Sequence, residues 1–403
     1  MAIARQGRAV ALSFEQTRRA LAWLFRKRLE KHARAQGLDD LDPTGLPTSL
    51  QAIFAPGPPP AETSLDADGL DEVMALVRGW RAGGPAQTVA VVGARGIGKT
   101  TWLDQFEGAA QHDDGQLSKR PELIRITVPA LLLGADDVCR FVAASCSLAA
   151  VDTPEAVVDA LAAGPRRIVV VDHCERFALR AMGGLAGHAA LTQILTTSPT
   201  NVLWVCAWSS ALFTHTRGVQ RARDVYSHVV ELRPWSEARI TALLDRRMRA
   251  AGYTPLWDDL LFDELSAETV GVDGLRVSER FMRLLWDHCD GNPSDSMHFW
   301  LRSLSATAPG EVRVRLFASP DADLLEPLGE LSRFVLAAIV VHEELPVAEI
   351  ARAVGEPAAA CASATAWLAA RGYLENTPLG WRVSPHWHRA AVRYLRRKHL
   401  PIG

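Results

Sequence analysis

The chain of 403 residues is long enough for several domains, and 48% hydrophobic with 22% charged residues is an ordinary globular composition. That composition excludes a disordered or fibrous chain, and a net charge of −2 excludes a uniformly basic coat for nucleic acid. No apolar run approaches the roughly eighteen residues of a membrane-spanning helix; Phe334–Val341 is among the longest. Met1–Arg8 carries charge and no sustained apolar region, so the expectation is a cytoplasmic protein without a secretory signal. Six cysteines, at 139, 146, 174, 206, 289 and 361, lack CxxC spacing and fall mostly in apolar segments, which predicts buried, reduced thiols.

The small net charge is a cancellation. Residues 1–36 sum to +7 and residues 381–403 to +6, which leaves −15 for 37–380. Both ends are basic and the body is acidic.

In chain order, Phe14, Leu21, Leu24, Phe25 and Leu29 follow helical spacing between Arg and Lys, predicting an amphipathic helix over 13–36. Such a helix suits an anionic membrane surface, an acidic partner or the acidic body of the chain itself. Pro43, Pro47 and Pro56-Gly57-Pro58-Pro59-Pro60 then read as a linker. A helix is expected over Asp66–Trp80, after which the pattern changes.

Short apolar runs at Thr88–Val92, Leu123–Val128, Ile168–Val171, Val202–Ala207 and His228–Leu232 alternate with helical segments. Strands this apolar are buried on both faces, so the expected class is α/β, a parallel sheet covered by helices. After Pro234 the pattern reads as helical throughout, with helices over Ser236–Ala251, Gly274–Cys289 and Pro293–Ser305 forming a lid. The last segment predicts a small winged helix. Its helices fall at Ser332–His342, Val347–Val354 and Pro357–Ala370, its wing at Tyr373–Asn376 and Gly380–Val383, and a final helix at Pro385–His399. The domains expected are 1–60 (basic helix and linker), 61–235 (α/β), 236–310 (lid) and 311–403 (winged helix).

The sharpest signal is Val91-Val92-Gly93-Ala94-Arg95-Gly96-Ile97-Gly98-Lys99-Thr100-Thr101, a G-x-x-x-x-G-K-[ST] match between a strand and a helix. Glycines let the backbone N–H groups of such a loop turn inward and cradle phosphate at a helix N-terminus. The loop from Gly93 to Thr101 is therefore the expected nucleotide cradle. Lys99 reaches the β- and γ-phosphates, and the Thr100 hydroxyl serves as a Mg²⁺ ligand. A second acidic site is expected at the end of Arg166-Arg167-Ile168-Val169-Val170-Val171-Asp172-His173-Cys174-Glu175. There Asp172 assists the metal and Glu175 orients or deprotonates the attacking water.

Loop, acidic strand end, lid and winged helix together resemble the AAA+-type P-loop ATPases, nearest to the origin-recognition/Cdc6-like and STAND-like branches, over 66–403. In those branches the two acids stand at D-x-x-[DE] spacing, as Asp172 and Glu175 do. The resemblance implies ATP and Mg²⁺ as cofactors and hydrolysis of ATP to ADP and phosphate. It also implies that Asn201–Ser210 is a sensor strand in which Ser209 or Ser210 reads the γ-phosphate, although either serine equally suits a helix N-cap. Arg221 and Arg223 fall where such families place an arginine finger, and they fit plain surface arginines too. Asp290-Gly291-Asn292-Pro293-Ser294 is similar to the lid's G-N-P-R motif, with Ser294 in place of Arg.

There is no N-K-x-D to read guanine and no L-S-G-G-Q, which excludes the common GTPase and transporter classes. The helix expected to read DNA, Pro357–Ala370, is alanine-rich and uncharged, so protein contact or self-association through the winged helix is the expectation. DNA remains an alternative through the basic ends, where Arg389, Arg393, Arg396, Arg397 and Lys398 offer non-specific phosphate contacts. The function expected is thus an ATP-dependent switch or assembly controlling a protein partner. The alternatives are a DNA-associated ATPase of the initiator or transposition-adaptor type, or a nucleotide-binding scaffold with little turnover.

Overall fold

The computed structural model describes residues 45–55, 63–112, 121–220, 225–261, 277–400 and 402. The basic helix expected over 13–36, and Arg221 with Arg223, lie outside the described residues. The chain forms two compact units. Among the described residues, one gathers 45–55, 244–261, 277–285 and 297–319; the other gathers 63–112, 121–220, 225–243, 286–296, 320–400 and 402.

The larger unit is built on five strands: β1 (Thr88–Gly93), β2 (Glu122–Thr127), β3 (Arg167–Asp172), β4 (Val202–Ser209) and β5 (His228–Leu232). All pairs are parallel, in the order β2-β3-β4-β1-β5. β3 and β4 are buried at every position, as strands covered on both faces require. The pleat sorts their side chains by parity. Ala90, Val92, Val169, Val171, Trp204, Cys206 and Trp208 face one core, while Val89, Val91, Ile168, Val170, Leu203, Val205 and Ala207 face the other. Helices Leu70–Arg81 and Lys99–His112 close the second core with Val73, Val77, Trp80, Trp102, Leu103 and Phe106. β5 has the expected bounds, β1, β3 and β4 extend one or two residues past theirs, and β2 is shifted one residue toward the N-terminus. Arg167, for example, joins β3 opposite Glu122 of β2, its N–H donates to Asn201 O at 2.8 Å, and its Nε bonds Glu122 Oε2 at 2.8 Å.

Residues 320–403 of the same unit form helices Glu330–His342, Val347–Val354 and Ala358–Ala370, a hairpin of Leu374–Thr377 with Gly380–Val383, and helix Pro385–Arg397. One close approach ties them together. Leu345 and Trp381 exchange backbone hydrogen bonds at 3.0 and 2.8 Å, and a Cβ on Gly380 would lie 2.4 Å from Leu345 backbone atoms. Only glycine fits there, and its φ of +128° is a second reason.

The smaller unit corrects one expectation. The chain after Pro234 is not helical throughout, because Thr254–Leu256, Leu304–Ala308 and Glu311–Val314 form a three-stranded sheet with the last in the middle. Helix Pro293–Arg302 accordingly stops short of the expected Ser305. The signal was an alternation of period two, with Val312 and Val314 buried and Glu311 and Arg313 exposed. Gly310, at φ +82°, makes the preceding turn. Trp257, Phe281, Phe299, Trp300 and Phe317 pack as a chain of aromatic contacts in this unit.

All six cysteines are buried and unpaired. Among the described residues no helix is long and apolar enough to cross a membrane.

His342, at the end of helix Glu330–His342, is buried and accepts the Arg180 N–H on Nε2 at 3.2 Å. Burial, with His215 and Arg180 nearby, pushes its pKa from 6.5 down to about 3. The imidazole is neutral in the fold, whereas the unfolded chain binds a proton below 6.5, so stability is lost as pH falls from 6.5 toward 3. At pH 5 this one residue is expected to cost about 2 kcal/mol relative to neutral pH. His342→Gln retains an acceptor without a titration, and chemical denaturation at pH 7 and pH 5 should show a smaller loss in the variant. An equal loss in both would remove His342 as the cause.

Candidate functional site

β1 ends at Gly93, and the chain turns through Ala94, Arg95, Gly96, Ile97 and Gly98 into the helix that starts at Lys99. Gly96 and Gly98 have φ of +75° and +108°, a conformation that side chains rarely adopt. Ile97 is buried and anchors the loop, its Cγ2 lying 2.6 Å from where a Cβ on Gly93 would be. The first amide N–H groups of the helix have no acceptor within it and carry the positive end of its dipole. Thr100 and Thr101 stand in that first turn.

Lys99 is 9% exposed, and its ammonium is shared three ways. It donates to Gly93 O at 3.1 Å and Ala94 O at 3.2 Å, and it faces Glu343 Oε1 at 3.5 Å. Glu343 follows helix Glu330–His342, far away in the chain. Burial alone raises its carboxyl pKa, but Lys99, Arg95 and His173 outweigh that and hold it below the usual carboxylate value. Its backbone is at φ +64°, ψ −39°, and Glu344 N donates to His342 O at 2.7 Å. This is a γ-turn of the rare positive-φ kind, a geometry that costs about 1–3 kcal/mol.

The acidic strand end meets the loop. Asp172, 1% exposed at the end of β3, accepts the Thr100 hydroxyl on Oδ2 at 2.9 Å. Arg125, on the neighbouring β2, donates to the same oxygen at 2.8 Å and also pairs with Glu107 and Asp104 on helix Lys99–His112. Asp172 Oδ1 accepts the N–H of His173, whose φ is +63°.

Glu175 is 3% exposed and held at both oxygens. Oε1 meets His173 Nδ1 at 3.0 Å, and Oε2 accepts the Ser209 N–H at 3.3 Å. Burial disfavours a charged His173, but Glu175 and Asp172 prevail and raise its pKa. Ser209 closes β4, and its hydroxyl accepts the Leu212 N–H at 3.4 Å, as an N-cap of helix Ser210–Gln220. The sheet order makes this gathering possible, since β4 lies between β1 and β3 and brings Gly93, Ser209 and Asp172 to one edge.

Asp290–Ser294 packs on the far side of the loop. Asn292 Nδ2 donates to Arg95 O at 2.7 Å, Ser294 N to Gly96 O at 3.3 Å, and Asn292 Oδ1 caps the next helix. A Cβ on Gly96 would stand 2.6 Å from Ser294 Cβ, so this contact requires a glycine opposite the serine. Arg95 extends the other way, its Nη1 donating to Val383 O at 3.2 Å.

The donor set suits a hard divalent cation such as Mg²⁺. A threonine hydroxyl and a carboxylate meet at one point, and a guanidinium already stands on that carboxylate as a cationic substitute. For the phosphate groups, the loop offers two positive-φ glycines and a helix N-terminus.

Sequence reasoning missed Arg125, His173 and Glu343. Arg125 had a signal as the one charge in the apolar run Leu123-Ile124-Arg125-Ile126, whereas Glu343 had only its place after a long apolar helix.

The basic face expected on the final helix is largely satisfied within the chain. Arg389 is 7% exposed and bonds Asp287 O and Asp290 Oδ1, each at 2.9 Å. Arg397 pairs with Asp323 and Glu326, and Lys398 with Glu326 at 2.6 Å.

No protein-family model matches the chain, and no curated protein does. Solved structures do. The chain is similar to the RuvB Holliday junction branch migration motor of Thermotoga maritima, at 14% identity and a TM-score of 0.31, over 83% of this chain and 95% of that one. It is similar to the ORC2 protein of Aeropyrum pernix, at 13% identity and 0.44, over 87% and 98%. It is also similar to Cdc6p of Pyrobaculum aerophilum, at 13% and 0.43, over 86% and 98%. At these scores the similarity is distant, and the site rests on the chain's own geometry.

Gly96→Ala should destabilise the larger unit by about 1–3 kcal/mol, since it meets both strain and Ser294. Gly98→Ala has open space around it and should cost only the strain, roughly 1 kcal/mol. Urea unfolding of the two variants compares them, and equal losses would show that Ser294 does not press on the loop.

Proposed function

We infer that the chain is an AAA+-like ATPase that binds Mg-ATP and hydrolyses it to ADP and phosphate. The observation that carries this reading is the 2.9 Å hydrogen bond from Thr100 to Asp172, 72 residues apart. It joins the two positions at which a phosphate-loop site holds its metal. The loop from Gly93 to Thr101 offers backbone N–H groups to the phosphates, and the Lys99 ammonium would turn to the terminal ones when they bind. Thr100 and Asp172 would hold Mg²⁺, which when bound neutralises charge on the phosphate oxygens. Glu175 is the base for water, with His173 and the Ser209 amide fixing its rotamer. Ser209 contributes through its backbone while its hydroxyl caps a helix.

The reading extends to a switch, with residues 320–403 as a winged helix that responds to nucleotide and controls self-assembly or a protein partner. Helix Ala358–Ala370 carries no charge, and Arg371 at its end stacks over Trp367, its guanidinium carbon 3.6 Å from the ring centroid. That surface favours protein over DNA. The internal pairing of Arg389, Arg397 and Lys398 speaks in the same direction.

Lys99→Ala should abolish ATP binding measured by calorimetry. Glu175→Gln should retain binding and lower phosphate release by roughly 10²–10⁴-fold. Unchanged ATP affinity in Lys99→Ala would sink the site, and unchanged turnover in Glu175→Gln would remove Glu175 as the base.

A further inference from the structure

Three consecutive residues, the last of helix Glu330–His342 and the two after it, contact the phosphate loop and the segment after β3. His342 accepts the Arg180 N–H at 3.2 Å, Glu343 faces Lys99 at 3.5 Å, and Glu344 pairs with Arg176 at 3.7 Å. Arg180 and Arg176 belong to the segment that follows Asp172 and Glu175. From the loop itself, Arg95 reaches Val383 O in the hairpin. The corner is tied on its far side as well, since Leu345 is bridged to Trp381 by two backbone hydrogen bonds.

Within this corner only Glu343 has a strained backbone, and only Glu343 points a carboxylate at the lysine that a nucleotide needs. A single-turn distortion at a partly buried ion pair is the kind of strain that persists where the surroundings impose it.

We propose that Glu343 is a built-in competitor for the nucleotide, a carboxylate that pairs with Lys99 in place of phosphate and so latches residues 320–403 onto the phosphate loop. The proposal rests on the reading of the site as a nucleotide site. Phosphate carries more charge than one carboxylate and also meets the loop amides, which Glu343 does not bond. Binding therefore breaks the pair with Lys99, frees Glu343 to leave its strained turn, and loosens the hold of the corner. Affinity in the intact chain is lowered by the fraction of molecules with the latch closed. Nucleotide and C-terminal docking are thus opposed through one ammonium group.

The test compares full-length wild type with Glu343→Gln, which keeps the shape without the charge. A second variant, Glu343→Gly, is at home at φ +64° and has no carboxylate at all. Calorimetric titration with Mg-ATP should show both variants binding about tenfold more tightly than wild type. Hydrogen exchange is the second readout. Amides of Glu344, Leu345 and 380–383 should exchange faster in the variants without nucleotide, and in wild type only once ATP is added. Equal affinities with unchanged exchange would overturn the latch and leave the site reading standing. If none of the three proteins binds ATP at millimolar concentration, the site reading fails and the latch fails with it.

Discussion

One ammonium group organises this molecule. Lys99 projects from the first position of its helix and back toward β1, where Gly93 O and Ala94 O accept it. Its remaining capacity is taken by Glu343 from the C-terminal part of the chain. A buried lysine needs counter-charge, and this fold supplies it with the Glu343 carboxylate. The local chemistry of the loop and the attachment of residues 320–403 are therefore one problem rather than two. The cation side is arranged alike, because Arg125 neutralises Asp172 at the point where Thr100 also bonds it. The lysine and the aspartate are each matched in charge by the chain's own side chains.

The sheet makes that balance possible. With β4 between β1 and β3, the loop, Ser209 and the Asp172–Glu175 segment open at the same edge. The pleat sends neighbouring residues of each strand into separate cores, so both faces are covered and polar groups remain at the strand ends. Asn292 and Ser294 then cover the loop from a segment nearly two hundred residues on, and glycine at 96 is the condition for their approach.

The parts of the site legible in the sequence are those written in short spacings. Gly93 to Thr101 is one contiguous motif, and Asp172 with Glu175 follows a run of β-branched residues. The helices and strands of 320–403 showed their periods equally plainly. The partners of these residues were not legible, because register and packing choose them. Arg125 meets Asp172 only since β2 lies beside β3, and Glu343 meets Lys99 across 244 positions. The small sheet of Thr254–Leu256, Leu304–Ala308 and Glu311–Val314 was hidden for another reason. Strands of three to five residues give too few alternations to stand out among helices. The basic C-terminal helix was plain as a charge count and misleading as a surface, since Asp287, Asp290, Asp323 and Glu326 answer much of it.

Nucleotide and the C-terminal corner are proposed to compete for Lys99. A spin-label distance between cysteines introduced at the exposed positions Ala162 and Ala359 measures it directly, because all six native thiols are buried. Without nucleotide the account predicts one narrow distance distribution. Saturating Mg-ATP should shift or broaden it in the wild-type background and leave it unchanged in Lys99→Ala. A distribution that stays the same in wild type with ATP bound would contradict the account.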